Sequence, residues 1–388
     1  MNLHVYGWRN ICHSFAMVNQ FQLLALMKKK GLSLSHEDAP YFSQRWSEES
    51  SQAGFSAAAK KSIMSVRLPK KPLKSGWHYE IAYPFFSFPI RSQTPVAHFM
   101  VTNFGFSQND FFGGQGYRVE NFRDQDIVVT PSQWSREKIV RFGFPADRVH
   151  VVHHGVDAEY FYPVSADERS AIRGQLGIQE DEYCFLNIGA MSINKGIDIL
   201  VKSFARLALR VPNVRLVLKD QSTLYGIQAQ QVVQDCLRTL TAEESAAVVQ
   251  RAVILNQNLD LSQLRLLHGA ADCYVSPYRA EGFNLPVLEA MGCGTPIIVT
   301  GGGATDEFVR DSSAKIPSAA LPNRVLYDAG IREERLTTDN FFVEPSLDAL
   351  LEIMSQRVAA GPVRQDTEEV SRDFSWHKVT QDLLGLLV

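Results

Sequence analysis

Short apolar runs alternate with helix-like stretches along the second half of the chain. The runs are YCFLNIG, VRLVLK, AVILN, DCYVS and PIIVT, and stretches with helical spacing lie at 196–210, 227–240, 262–269 and from Pro286 onward. A continuous apolar run indicates a strand buried on both faces, and helices between such strands are typical of a parallel sheet. The pattern predicts a doubly wound α/β domain with helices on both faces.

The first half shows the same alternation less regularly. It predicts a strand over 3–7, a helix over 16–30, strands at PVAHFMV, DIVVT and RVHVV, and a helix over 135–142. Residues 31–80 mix prolines, polar clusters and a basic run without a clear period, so they receive no assignment. A length of 388 residues suits two compact domains. We expect the division near Tyr162 and Pro163, with one domain at 1–163 and the other at 164–372.

Composition narrows the class of protein. The chain is 45% hydrophobic and 21% charged, which is ordinary for a soluble globular protein. It has no long uninterrupted apolar window and no basic-then-apolar opening, so we expect no spanning segment, no secretory signal and a cytoplasmic location. The five cysteines stand far apart without a C-x-x-C pair, which indicates reduced core thiols.

Charge is unevenly distributed along the chain. The net charge of −3 is too small to indicate a nucleic-acid partner. Up to residue 165 there are 18 Lys and Arg against 13 Asp and Glu, and after it 21 against 29. The first half also contains a basic run over 60–74 without an acidic residue. Such a run indicates either a solvated loop or a contact with anionic lipid or an anionic acceptor.

The segment EGFNLPVLEAMGCG combines two carboxylates with a helix start. Pro286 suits the first helical position, so the residues before it offer backbone N–H groups to an anion such as a phosphate. Glu281 precedes this helix end and Glu289 lies one turn inside it. Carboxylates are acceptors only, so sugar and ribose hydroxyls are natural partners. The alternative is a capped surface helix with two solvated glutamates.

Several segments in order resemble glycosyltransferase family 4, the retaining, nucleotide-sugar-dependent enzymes of the GT-B fold. They are TPSQWSREKIVRFGFPADRVHVVHHGVDAEYFYP, IGAMSINKGIDILVKSF and EGFNLPVLEAMGCGTPIIVT. The resemblance implies two Rossmann-like domains facing across a cleft, with the acceptor on the first and the donor on the second. It also implies that 373–388 returns as a helix to the first domain.

The resemblance further implies roles for residues of the second domain. Glu281 would contact hydroxyls of the donor sugar and Glu289 the ribose, while Lys195 would neutralise the diphosphate as it leaves. The backbone of three residues would bind the same diphosphate: Phe283, Asn284 and Leu285. Many members carry an arginine shortly before the lysine, and this chain has none there. Lys219, at the end of VRLVLK, is our candidate for the second positive charge.

In the first domain the candidates lie in or after the first and second predicted strands. Gly7 opens a loop expected near the acceptor and the donor phosphate, and His13 and Ser14 in that loop are acceptor-side candidates. Asn103 follows the strand PVAHFMV and is our catalytic candidate there, because loop-end residues reach a cleft. His98 within that strand is either an acceptor-side residue or a core histidine.

The resemblance implies transfer of a hexose-type sugar from a nucleoside diphosphate sugar to a hydroxyl of a glycan, a lipid-linked acceptor or a small molecule. Such enzymes serve polysaccharide or glycoconjugate biosynthesis. We expect no cofactor beyond the donor, and no metal because cationic side chains and the helix end can neutralise the diphosphate. The alternatives are an epimerase or phosphorylase on the same fold, or a non-catalytic module that binds nucleotide sugars.

Overall fold

A computed structural model describes residues 1–48, 53–69, 74–88, 94–114, 119, 122–322 and 341–388. The chain divides into two compact units. Unit 1 comprises Met1–Gly155, Pro322–Phe341 and Phe374–Val388, and unit 2 comprises Val156–Leu321 and Phe342–Asp373. Unit 1 therefore takes residues from three separate parts of the chain.

Unit 1 is built on a parallel sheet of six strands in the order β2-β1-β3-β4-β5-β6. The strands are β1 Asn2–Gly7, β2 Ser33–Asp38, β3 Trp77–Ile81, β4 Val96–Phe99, β5 Ile127–Thr130 and β6 Val149–Val151. Its first three helices are α1 Ser14–Met27, α2 Ala57–Ser65 and α3 Gln133–Phe142. The unassigned stretch 31–80 thus contributes two strands and one helix to this unit.

Unit 2 is built on a second parallel sheet, in the order β12-β11-β10-β7-β8-β9. Its strands are β7 Tyr183–Gly189, β8 Val214–Asp220, β9 Ala252–Leu255, β10 Cys273–Ser276, β11 Ile297–Thr300 and β12 Lys315–Ile316. β13 Ser318–Pro322 and β14 Phe341–Pro345 form a separate pair. The predicted alternation of strand and helix in the second half is confirmed.

The helices of unit 2 cover its sheet. They are α4 Ala166–Gln175, α5 Ile197–Arg210, α6 Ser222–Tyr225, α7 Ala229–Leu237, α8 Ala242–Arg251, α9 Leu261–Ala270, α10 Leu285–Gly292, α11 Leu347–Ala360 and α12 Glu368–Asp373. α5 lies at the centre of the apolar core, because Leu200, Phe204 and Leu207 repeat at helical spacing and are fully buried. α8 and α11 pack against it.

The last helix, α13 Trp376–Leu386, packs against α1 within unit 1. The rings of Phe21 and Trp376 are stacked with their centroids 5.3 Å apart. Gly155 allows the close approach, since a Cβ there would lie 2.8 Å from the Trp376 side chain. Residues that follow unit 2 in sequence therefore complete the packing of unit 1.

Candidate active site

The candidate site of unit 2 lies at the carboxyl ends of β7 and β10, which are neighbours in the sheet. β7 ends at Gly189 and leads to a 3-10 turn over Ile193–Lys195. β10 ends at Ser276, and the loop after it leads into α10. Ligands of open parallel sheets bind at this edge. The two loops that carry the predicted site residues therefore leave the sheet side by side.

Gly196 allows these two loops to touch. Its φ is 65°, in the left-handed region, and a Cβ there would lie 1.9 Å from the carbonyl oxygen of Pro277. Next to it, the carbonyl of Asn194 accepts a hydrogen bond of 2.7 Å from the backbone N–H of Arg279. These contacts hold the lysine-bearing turn against the loop that follows β10.

The predicted lysine and the first predicted glutamate form an ion pair. Nζ of Lys195 donates to Oε1 of Glu281. Glu281 is buried, whereas the Lys195 side chain is 23% exposed and remains reachable. A cation held in this way is positioned before a ligand arrives, which favours electrostatic stabilisation of an incoming anion.

The start of α10 provides the second element of the site. Leu285 is the first helical residue and Pro286 the second, one place later than the sequence predicts. The helix begins at Leu285 because Asn284, with a φ of 83°, ends the loop as the N-cap. The side-chain amide of Asn284 donates to the Ser276 hydroxyl at 3.0 Å. Phe283 is buried. The first N–H groups of a helix have no acceptor within it and carry partial positive charge.

Glu289 lies one turn into α10, where burial raises its pKa to about 7. Its nearest basic group is His268, with Nε2 4.0 Å from Oε2, and burial lowers the pKa of that imidazole to about 3. Burial raises the pKa of Tyr274, and the charges of Glu281 and Glu289 raise it further. Both carboxylates thus lie within electrostatic range of the Tyr274 hydroxyl, which donates to the carbonyl oxygen of Ile188 at 3.0 Å.

Lys219 lies near the carboxyl end of β8, as the sequence predicts. It is buried, and its Nζ donates to the carbonyl oxygen of Asp220. In the sheet register it pairs with Ile188, one residue before β7 ends. A lysine ammonium has three donors, so this amine can keep its hydrogen bond to the main chain and still bind a ligand anion.

Arg279 has a positioning role that the sequence did not reveal. Its guanidinium donates to Asp198 at 2.7 and 2.9 Å and to Glu344, and also to the carbonyl of Ile193 at 3.0 Å. Because its donors are engaged by carboxylates, it does not replace the arginine that the chain lacks before Lys195. It ties the lysine-bearing turn to α5 and β14 instead.

In unit 1, the candidates after β1 have distinct environments. Gly7 ends β1, and a Cβ there would lie 2.6 Å from the Ile81 side chain, so packing alone explains this glycine. His13 is the N-cap of α1, and Nδ1 accepts a hydrogen bond from the backbone N–H of Phe15 at 3.2 Å. Burial lowers the pKa of His13 to about 3. Ser14 begins α1 and is exposed.

His98 is 1% exposed within β4, where it has no surface to offer an acceptor. Its Nδ1 lies 2.7 Å from Glu80, and its Nε2 lies 3.6 Å from Asp126. Burial opposes protonation, but the carboxylates of Asp126 and Glu80 outweigh it and raise the pKa of His98. This environment favours the core alternative for His98. Asn103, by contrast, is only half-buried in the loop after β4.

Three other expectations concern a metal site, a membrane-spanning helix and the basic run over 60–74. Among the described residues, no set of three or more His, Cys, Asp or Glu could hold a metal ion. No helix in the described part of the chain is long and apolar enough to cross a membrane. In the basic run, the four described residues Lys60, Lys61, Arg67 and Lys74 are exposed, and 70–73 lie outside the described residues.

Two glycosyltransferase family models and several glycosyltransferases of known sequence match parts of the chain. The family described as Glycosyl transferases group 1 matches residues 168–329, and Glycosyltransferase Family 4 matches residues 96–160. A D-inositol 3-phosphate glycosyltransferase of Xylanimonas cellulosilytica is 28% identical over 62% of this chain and 59% of its own length. An uncharacterised glycosyltransferase of Methanocaldococcus jannaschii is 28% identical over 53% of this chain and 52% of its own. The chain spans about half the length of the curated relatives it matches.

Solved structures share the fold at low identity. Anabaena HepE in complex with UDP and glucose aligns with a TM-score of 0.63 at 16% identity, covering 100% of this chain and 99% of that one. A glycosyltransferase from Rickettsia africae aligns with a TM-score of 0.67 at 11% identity, covering 100% and 97%. The predicted pair of parallel α/β domains of the GT-B class is confirmed. The two family models together match more than half of the residues, and the resemblance of the chain to glycosyltransferase family 4 is confirmed.

Proposed function

We propose that the chain is a retaining glycosyltransferase that moves a hexose-type sugar from a nucleoside diphosphate sugar to a hydroxyl. One observation carries the proposal: Lys195 and Glu281 are paired beside the start of α10, at the carboxyl edge of the sheet. A diphosphate needs a cation and N–H donors, and a sugar needs acceptors for its hydroxyls. This small region of unit 2 supplies all three.

In the proposed reaction the bond between the anomeric carbon and the diphosphate oxygen breaks, and the oxygen keeps the electron pair. Lys195 and the first N–H groups of α10 stabilise the negative charge that develops on the leaving group. The acceptor oxygen bonds to the anomeric carbon on the face that the diphosphate leaves, and the acceptor proton passes to a leaving phosphate oxygen. Glu281 orients the sugar through its hydroxyls, and Glu289 binds the ribose.

A panel of UDP-, GDP- and ADP-sugars tests the donor class. UDP-glucose comes first, because HepE has been solved with UDP and glucose. We expect one nucleotide to raise the melting temperature, since a ligand that binds only the folded state stabilises it. We also expect slow hydrolysis of the matching sugar nucleotide without acceptor. Release of a free epimer, or binding without turnover in any acceptor mixture, would contradict the proposal.

Two isosteric substitutions separate the roles of the glutamates. Glu289→Gln should weaken binding of free UDP, whereas Glu281→Gln should reduce turnover of UDP-glucose more than it weakens binding of free UDP. Glu243→Gln, at an exposed position on α8, is the matched control. If all three variants behave like the unmodified chain, the site lies elsewhere.

We also propose peripheral contact with anionic membrane at the cytoplasmic face. The support is the exposed group of Lys60, Lys61, Arg67 and Lys74 together with Leu68, which is 61% exposed. Basic residues near an anionic surface each add about 1 kcal/mol, and salt screens the attraction. Co-sedimentation with phosphatidylserine vesicles should therefore occur at low salt and fall as salt rises. Absence of binding at low salt would refute this contact.

A further inference from the structure

Lys138, on the second turn of α3, is a mostly buried lysine that has no carboxylate partner among the described residues. Only 6% of the residue is exposed. Within the described parts of the chain it forms no ion pair with a carboxylate and donates no hydrogen bond. Charged side chains that are buried are almost always paired, because removing an ammonium group from water is costly. The position therefore needs an explanation beyond packing.

In the part of the chain that the structure describes, this amine contacts an aromatic ring. Nζ of Lys138 lies 3.2 Å from the ring centroid of Trp134, one turn earlier on α3. A cation over an indole recovers only part of the lost hydration. Burial lowers the pKa of Lys138 to about 7, which the charge of Glu137 opposes and that of Arg141 assists. The surroundings thus compensate little of the cost of burying the positive charge of the ammonium form.

Trp134 connects this amine to the candidate edge of unit 1. The indole N–H of Trp134 donates to the carbonyl of Asn103 at 2.7 Å. The hydroxyl of Ser135 accepts from the backbone N–H of Thr102 at 2.9 Å. Side chains on a helix lean toward its N-terminus, so Lys138 reaches back toward this loop. Trp134 therefore links the amine to the loop that follows β4, at the edge where parallel sheets bind ligands.

We propose that Lys138 is part of a binding site on unit 1 for an oxyanion, a phosphate or carboxylate carried by the acceptor. The inference rests on the proposed function in that it assigns the acceptor to unit 1. An ammonium group of lysine binds phosphate and carboxylate as a point charge. An anion bound there supplies the missing counter-charge, and the Trp134 ring holds the amine in place for it. The acceptor is accordingly an anionic molecule rather than a neutral sugar.

The test measures anion binding to the full chain by calorimetry, with UDP present at saturation so that the donor phosphate site is occupied. Methyl phosphate and acetate are titrated separately, which distinguishes the two kinds of oxyanion. We expect Lys138→Met to lose about tenfold or more in affinity for the preferred anion. Lys138→Arg keeps a permanent cation and should retain most of the binding. Lys378→Met, which removes an exposed lysine of α13, is the control.

The outcomes separate this proposal from that for the donor. Equal anion affinity in Lys138→Met and the unmodified chain overturns the oxyanion site, even when UDP binds normally. Failure of UDP to bind the unmodified chain overturns the donor proposal. In that case the titrations are run without UDP in a Lys195→Met background, and Lys138→Met still decides. Methionine is apolar and of similar length, so the variant should fold and be at least as heat-stable as the unmodified chain.

Discussion

Glu289 should make donor binding depend on pH. Its pKa is about 7, and only the ionised form accepts two hydroxyl hydrogen bonds without donating one. From pH 6 to pH 8 the ionised fraction grows from about one tenth to about nine tenths, so affinity for UDP-glucose should rise by up to about tenfold. UDP-glucose is the suitable probe because its diphosphate does not titrate in this range. Calorimetry at several pH values measures the effect.

The control for this pH effect is Glu289→Gln. Glutamine has no proton to lose near neutrality, so its affinity should be lower and nearly independent of pH. A slope that persists in Glu289→Gln would assign the titration to another group.

Gly196 offers a sharp test of how the site is held together. Gly196→Ala places a Cβ 1.9 Å from the Pro277 carbonyl oxygen, in a left-handed conformation that alanine disfavours. We expect a loss of about 3 kcal/mol in the free energy of unfolding, together with weaker UDP binding as Lys195 moves. Chemical denaturation measures the first and calorimetry the second.

Gly177 is the matched control for this substitution. It has a similar φ of 68° and nothing within 4 Å of a Cβ. Gly177→Ala should therefore cost only the backbone strain and leave UDP binding intact. Equal effects of the two substitutions would show that the contact with Pro277 is unimportant.

At the residue scale, the sequence assigned two side chains to the same candidate site but did not reveal the arginine that positions them. Lys195 and Glu281 were assigned to one donor, and the structure joins them in an ion pair. Arg279 was missed, because its partners Asp198 and Glu344 lie 81 and 65 residues away. No local pattern encodes such contacts. Pro286 was placed one residue early, because the left-handed conformation of Asn284 depends on the loop before it.

At the scale of elements, strands buried on both faces were the most predictable. The apolar run YCFLNIG corresponds to β7, and every residue of that strand is buried. β2 and β3 were not assigned, because SLSHED and WHYEI contain polar residues that are buried only with partners from other strands. Glu80 in β3 is an example, since its carboxylate is satisfied by His98 in β4. Contacts with neighbouring strands, rather than the local sequence pattern, therefore determine that these two segments form strands.

The contact between α13 and α1 predicts which unit depends on the last helix. Trp376 is buried and stacked on Phe21, so Trp376→Ala removes a large apolar side chain and should cost about 3 kcal/mol or more. His377→Ala, at the exposed neighbouring position, is the control. Hydrogen exchange should show the loss of protection in α1 rather than in α5. Loss confined to α5 would contradict the assignment of α13 to unit 1.

At the scale of the whole molecule, buried neutral histidines should limit stability in acid. Burial lowers the pKa of His36, His154 and His268 to about 3 each. Their contribution to stability is present above the unfolded value of about 6.5 and is lost as the pH falls toward 3. At pH 5 the loss is of order 2 kcal/mol for each. Glu289 and His98, whose pKa values are raised, act in the opposite direction, but His13 is a fourth imidazole whose pKa burial lowers to about 3.

Melting temperatures measured from pH 7.5 to pH 5 test this balance. We expect a steep fall toward pH 5, and a shallower one in His268→Gln. His377→Gln removes an exposed histidine and should follow the unmodified chain. Melting temperatures that stay constant over this range would mean that the buried histidines are protonated in the folded protein.

The docking of α13 on α1 also bears on how the protein is made. Ribosomes release a chain from its N-terminus, and domains commonly fold in that order during synthesis. Here α1 appears first, yet the helix that covers it follows all of unit 2. The later half can therefore reach its final packing while the earlier half still exposes an apolar surface. For several hundred residues of translation, that nascent surface is a natural target for chaperones.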